Sequence, residues 1–167
     1  VNSLERVMEL FPEHISAYSL IIEQGTPFYE RYGEADEQRK RYGEDREHLL
    51  PSEEEERAMY ERTREILAHG GYHRYEISNY ARPGYECRHN ITYWKRGDYL
   101  GFGLGAASLM KNCRFANAGV LAEYEGGLHR EERQLSVQEQ MEEFMFLGLR
   151  LTEGVTCGAF WDAFHVS

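Results

Sequence analysis

Leu4, Val7, Met8 and Phe11 recur at three- and four-residue intervals, which predicts a short helix that Pro12 ends. His14 to Ile22 (HISAYSLII) is a near-continuous apolar and β-branched run, the pattern of a strand buried on both faces of a parallel sheet. Glu23 to Pro27 then reads as a turn. Ligands bind at the carboxyl ends of strands in α/β folds, so Tyr18, Glu23 and Thr26 draw attention. From Tyr29 to Glu65 the apolar pattern gives way to 13 acidic and 8 basic residues. Through His48 this predicts a solvated loop or frayed helix. Ser52 with Glu55 forms a capping box, opening a helix with Met59, Thr63, Ile66 and Leu67 on one face. Gly70-Gly71 stops it. Tyr72 to Ser78 reads as the next strand, and strand–helix–strand order predicts a right-handed parallel βαβ unit.

Arg82-Pro83-Gly84 marks a turn, Tyr99 to Gly103 a third strand, and Arg114-Phe115 a short edge piece. Asn117 is placed to cap a short helix through Val120, Leu121 and Tyr124 that ends at Gly126-Gly127. Ser136 and Glu139 form a second capping box, and the helix after it turns Val137, Met141, Phe144, Met145, Leu147 and Leu151 inward. Ala159, Phe160, Ala163 and Phe164 begin another amphipathic helix. The expected class is therefore α/β, with a helical accessory domain starting near residue 131.

The 167 residues suffice for one domain, or one domain plus part of another, and 41% hydrophobic with 13% aromatic residues supply a core. A formal charge of −10 argues against nucleic acid or an anionic membrane as the main partner, since both require basic patches. No run of about 18 apolar residues and no signal-peptide pattern is present, so a cytoplasmic protein is expected. Cys87, Cys113 and Cys157 are odd in number and widely spaced, which suits reduced thiols and offers no iron–sulfur ligand set. The chain opens inside an apparent helix and stops inside an apolar pattern at FWDAFHVS, so a fragment of a longer protein is expected. An open sheet edge and an uncovered apolar face in such a fragment favour aggregation or dimerisation.

Candidate chemistry concentrates between Glu76 and Ser108. Tyr80, Tyr85, Tyr93, Trp94, Tyr99 and Phe102 surround one Cys, one His and two Asn, followed by Gly101, Gly103 and Gly105. Aromatic walls beside glycines suit a large, flat, apolar ligand, because no Cβ blocks approach to the backbone. Close packing of a strand explains the glycines equally well. GFGLGAAS lacks a following helical pattern, so it is a poor dinucleotide fingerprint. His89 offers an imidazole to a metal or haem iron, and Cys87 a sulfur if it is a thiolate. Glu76 faces this site if the strand parity is right. Catalytic triads, P-loops and HExxH are absent from the sequence.

The stretches HISAYSLIIEQGTPFY, YHRYEISNYARPGYECRHNITYW, GDYLGFGLGAAS and EEFMFLGLRLTEGV together resemble the HemW family. These are radical-SAM proteins related to the oxygen-independent coproporphyrinogen III oxidase HemN. The resemblance implies the second half of a radical-SAM partial (β/α) barrel over residues 1–130 and the start of the family's C-terminal domain over 131–167. It implies S-adenosylmethionine near Gly103, Gly105, Ala106 and Ala107, and a [4Fe–4S] cluster whose CxxxCxxC ligands lie outside this sequence. HemW proteins carry an HNxxYW motif, here His89, Asn90, Tyr93 and Trp94, which implies haem binding with His89 as candidate iron ligand. The function implied is a haem chaperone that delivers haem to client proteins such as respiratory enzymes. The alternative is oxidative decarboxylation of coproporphyrinogen III. The two differ at His89: a chaperone needs an exchangeable axial ligand, whereas the oxidase must hold propionates for hydrogen abstraction.

Overall fold

The structure, a computed structural model, describes residues 2–32, 50–127 and 129–166. The charged stretch expected to be a loop or frayed helix lies outside these residues from 33 to 49. Helix α1 (Asn2–Met8) precedes strand β1 (His14–Ser16), α2 (Pro27–Tyr32), α3 (Glu53–His69), β2 (His73–Arg74) and β3 (Asn79–Ala81). Then come α4 (Arg88–Trp94), β4 (Ala107–Met110), β5 (Cys113–Asn117), α5 (Leu121–Glu125), β6 (His129–Gln134), α6 (Val137–Gly148) and α7 (Cys157–Phe164).

Among the described residues two three-stranded sheets form, in the orders β1-β3-β2 and β4-β5-β6, and every pair in them is antiparallel. β1 and β2 do run in the same direction, as strand–helix–strand order requires, but β3 is inserted between them. The expected direct parallel pairing is therefore absent, and the reason is local. The stretch expected to be one strand folds as a hairpin, in which the Tyr75 amide donates to the Asn79 carbonyl (3.2 Å). The Glu76 carboxylate caps its loop by accepting from the Ser78 amide (2.7 Å). β1 is also shorter than its apolar run. Beyond Ser16 the chain keeps one ladder-type bond, Ala17 N–H to Ser78 O, and then leaves Tyr18, Leu20 and Ile21 at least 60% exposed.

Ile15, Leu67, Tyr72 and Tyr80 form the core of the first sheet, with Leu4 and Met8 of α1 and Ala17 packed against them. The capping boxes at Ser52–Glu55 and Ser136–Glu139 are both made. Gly71 is left-handed after α3, and Gly84 supplies the positive φ of the turn after Pro83. Arg114 and Phe115 lie in the central strand of the second sheet rather than at an edge. Tyr99 makes one isolated bridge to Leu109, so no third strand runs to Gly103. In α6, Leu151 just beyond its end is buried and Phe144 packs against Phe160 and Phe164 of α7. Val137 and Met145, expected inward, are 62% and 39% exposed.

The buried face of α6 instead includes Glu143. Its carboxylate takes Arg96 Nε at 3.1 Å and Arg114 Nη2 at 2.9 Å, and Arg96 Nη1 also donates to Asn112 Oδ1. This ionic knot ties the chain after α4, the β4–β5 turn and β5 to α6. At the start of α6, hydrogen bonds from the Ser136 amide and hydroxyl, then Arg133, lower the Glu139 pKa from 4.5 to about 2. A depressed carboxylate pKa stabilises the fold above the unfolded value and loses that contribution as pH falls through the folded one. Acid titration of α6 helicity should therefore show a loss between about pH 4.5 and about 2 that Glu139→Gln abolishes.

Candidate functional site

The HNxxYW residues all lie on α4, and their spacing resolves into two i, i+4 pairs on neighbouring stripes of that helix. His89 and Tyr93 form the first. Their rings meet edge to face at 4.6 Å and 83°, with His89 exposed. Tyr93 in turn packs edge to face on Tyr99 at 4.5 Å and 79°. Asn90 and Trp94 form the second stripe, which faces the protein. The Asn90 side chain acts on the Tyr75 hydroxyl, lowering its pKa against the larger effect of burial. Trp94 lies beneath the Arg150 guanidinium, 4.2 Å from its ring centre, and lines a cavity of about 410 Å³ with Phe144, Leu151 and Val155.

Tyr75 fixes the start of α4. Its hydroxyl is 2.9 Å from His14 Nε2 on β1 and accepts from the amide of Cys87, the residue before the helix, at 3.4 Å. Burial raises its pKa, so the hydroxyl stays protonated. Neither Tyr75 nor His14 carried a sequence signal, because the two meet across 61 residues of chain. Cys87, two residues before His89, is the N-cap of α4 in extended backbone and lies outside the helix that carries His89. The aromatic residues of this stretch do not share one lining. Tyr80 is 1% exposed in the core, while Tyr85 and Phe102 are 57% and 81% exposed.

The glycine segment is a closed loop. Tyr99 and Leu109 exchange both backbone hydrogen bonds at its base (2.8 and 3.0 Å). From within, buried Asn117 donates its side-chain amide to the carbonyls of Gly101 (3.1 Å) and Gly103 (2.9 Å), and its backbone amide to Ala106. Asn117 was expected to cap a helix. The helix after it, α5, has Val120 in the capping position with no side-chain bond. The glycines serve two different needs. A Cβ on Gly101 would sit 2.4 Å from the Ala107 carbonyl, so Gly101 is there for close packing. Gly103 and Gly105 adopt φ of +96° and +66° with open space around them. Gly105 and Ala107 are exposed and Gly103 and Ala106 half-buried, while internal hydrogen bonds occupy the amides of Gly103, Gly105 and Ala106. Among the described residues no group of three His, Cys, Asp or Glu side chains could hold a metal ion, and no helix is long and apolar enough to cross a membrane.

Glu76 does face inward. It is 1% exposed, and Oε2 has no partner. Its backbone bridges Leu151, and Thr152 donates to the Tyr75 carbonyl, so this hairpin is docked on the end of α6 and away from the His89 stripe.

Residues 135–167 match the HemN C-terminal domain. Over 99% of its length the chain is 39% identical to the haem chaperone HemW of Lactococcus lactis, and over 93% it is 38% identical to that of Bacillus subtilis. The chain is a relative of the HemW proteins. It spans 42% and 40% of the length of those two relatives. It is also 28% identical, over 98% of its length, to a zebrafish (Danio rerio) mitochondrial radical S-adenosyl methionine domain-containing protein. Its fold is that of the Escherichia coli radical-SAM enzyme HemN, with a TM-score of 0.67 over 99% of this chain and 39% of that one, at 19% identity. The chain thus shares the mixed helix–strand fold of HemN, and the HemN C-terminal match begins at residue 135, directly after β6.

Proposed function

We propose that this chain belongs to a haem chaperone, that His89 is an exchangeable axial ligand to haem iron, and that Tyr93 supports it. The observation that carries this is the stripe on α4: an exposed imidazole, held edge-on by a tyrosine, on the outward face of a helix anchored at both ends. A neutral imidazole at such a position can bind iron, and its exposure lets an acceptor compete for the metal. Asn90 and Trp94, although in the same motif, act by holding the helix. The curated relatives named haem chaperones support the same reading. Gly103, Gly105, Ala106 and Ala107 would hold the adenosine of S-adenosylmethionine, which with a [4Fe–4S] cluster would supply radical chemistry. The protein would work in the cytoplasm and pass haem to client proteins, its acidic surface meeting basic ones. Residues 131–167 would start the accessory C-terminal domain.

Titration with haemin and with metal-free protoporphyrin IX separates this reading from a porphyrin-modifying one. Ligation by His89 requires iron, so haemin should bind at least about tenfold more tightly and shift its Soret band, about 1.4 kcal/mol of preference. Equal affinity for both macrocycles would mean that the propionates and ring are recognised instead, as a coproporphyrinogen oxidase would require.

A further inference from the structure

We infer that Tyr99, outside the HNxxYW motif, is a positioning residue that sets the orientation of the His89 imidazole through Tyr93. The inference rests on the haem-ligand reading above. An exposed histidine on a short helix would ordinarily sample several rotamers, which weakens any iron bond by the entropy of ordering the ring. Here the ring is restrained by a relay of two edge-to-face contacts, His89 to Tyr93 at 4.6 Å and Tyr93 to Tyr99 at 4.5 Å. The relay ends on a fixed point. Tyr99 exchanges both backbone hydrogen bonds with Leu109, which is 2% exposed in β4. Neither α4 nor its end contacts provides such a restraint on the outward stripe, because Tyr75, Arg150 and Glu143 all act on the inward side or beyond the helix end. The relay places an otherwise free imidazole at a defined angle before any ligand arrives, which is preorganisation in the ordinary sense.

Two readouts test this, one of them independent of haem. In proton NMR the His89 ring protons should carry a ring-current shift from Tyr93 that is absent from a free imidazole. That shift should persist in Tyr99→Phe and collapse in Tyr99→Leu, a smaller apolar variant without a ring. Haemin affinity should follow the same order, with Tyr99→Leu weakened about three- to tenfold, the range an aromatic pair contributes, and Tyr99→Phe unchanged. A Tyr99→Leu protein, native by circular dichroism, that keeps both the shift and the affinity overturns the inference. Equal weakening by Leu and Phe overturns it too, since that would assign the effect to the hydroxyl. Should Tyr99→Leu fail to fold, Tyr99→Met, which fills the site flexibly without a ring, must lose the shift and weaken haemin binding over the same range, and failure to do so overturns the relay. A parent protein that shows the shift but binds no haemin overturns the haem reading alone.

Discussion

Glu143→Ala should destabilise the protein by about 3–5 kcal/mol, the cost of leaving buried charges without their counter-ion. The Glu143 side chain is 8% exposed and compensates Arg96, itself 10% exposed, and Arg114. Removing it strands Arg96 in particular, whose Nη2 already lacks a partner. Arg114 is 39% exposed and can turn to water, so most of the loss comes from Arg96. Glu143→Gln keeps an acceptor for one guanidinium and should cost less than the alanine variant. Urea denaturation followed by circular dichroism measures both. A cost below about 1 kcal/mol for Glu143→Ala would mean the knot is solvated and does not tie α6 to β5.

Trp94→Ala should cost about 3 kcal/mol, at the lower end for an aromatic-to-alanine truncation because the ring is half-buried. The indole stacks under Arg150 and walls the cavity with Phe144 and Leu151, so its loss enlarges an existing void and frees a guanidinium whose Nε is buried without a partner. The change also separates the two halves of the motif. If Trp94 holds the helix while His89 holds iron, the folded fraction of Trp94→Ala should bind haemin nearly as the parent does. Affinity lost in proportion to the His89 variants, with stability intact, would place Trp94 at the haem instead.

What was legible in the sequence was local. Both capping boxes, the stop at Gly70-Gly71 and the Pro83-Gly84 turn depend on residues within one turn of each other, and each forms as read. The helix that carries HNxxYW was not read from the sequence; only with α4 in place do positions 89 and 93 share one stripe and positions 90 and 94 the next. Long-range pairing was not legible. The apolar run from His14 to Ile22 has the composition of a long strand, yet its length is set by β3, whose register ends opposite Ser16 at Asn79. Asn117 has the chemistry of a helix cap and is used to hold carbonyls of a loop 14 and 16 residues back. Glu143 reads as the polar face of α6 and is buried because two arginines from distant segments meet it. In the glycine segment close packing accounts for Gly101, while Gly103 and Gly105 answer a backbone need, φ of +96° and +66°, that no periodicity announces.

The most direct test of the account is a haemin titration of the parent and His89→Ala, followed at the Soret band, with both proteins confirmed as folded. Binding by the parent with a Soret shift, weakened at least about tenfold in His89→Ala and partly restored by free imidazole, is the result expected of an axial ligand. Unchanged affinity and an unchanged spectrum in His89→Ala would contradict the account and move the iron ligand to another side chain.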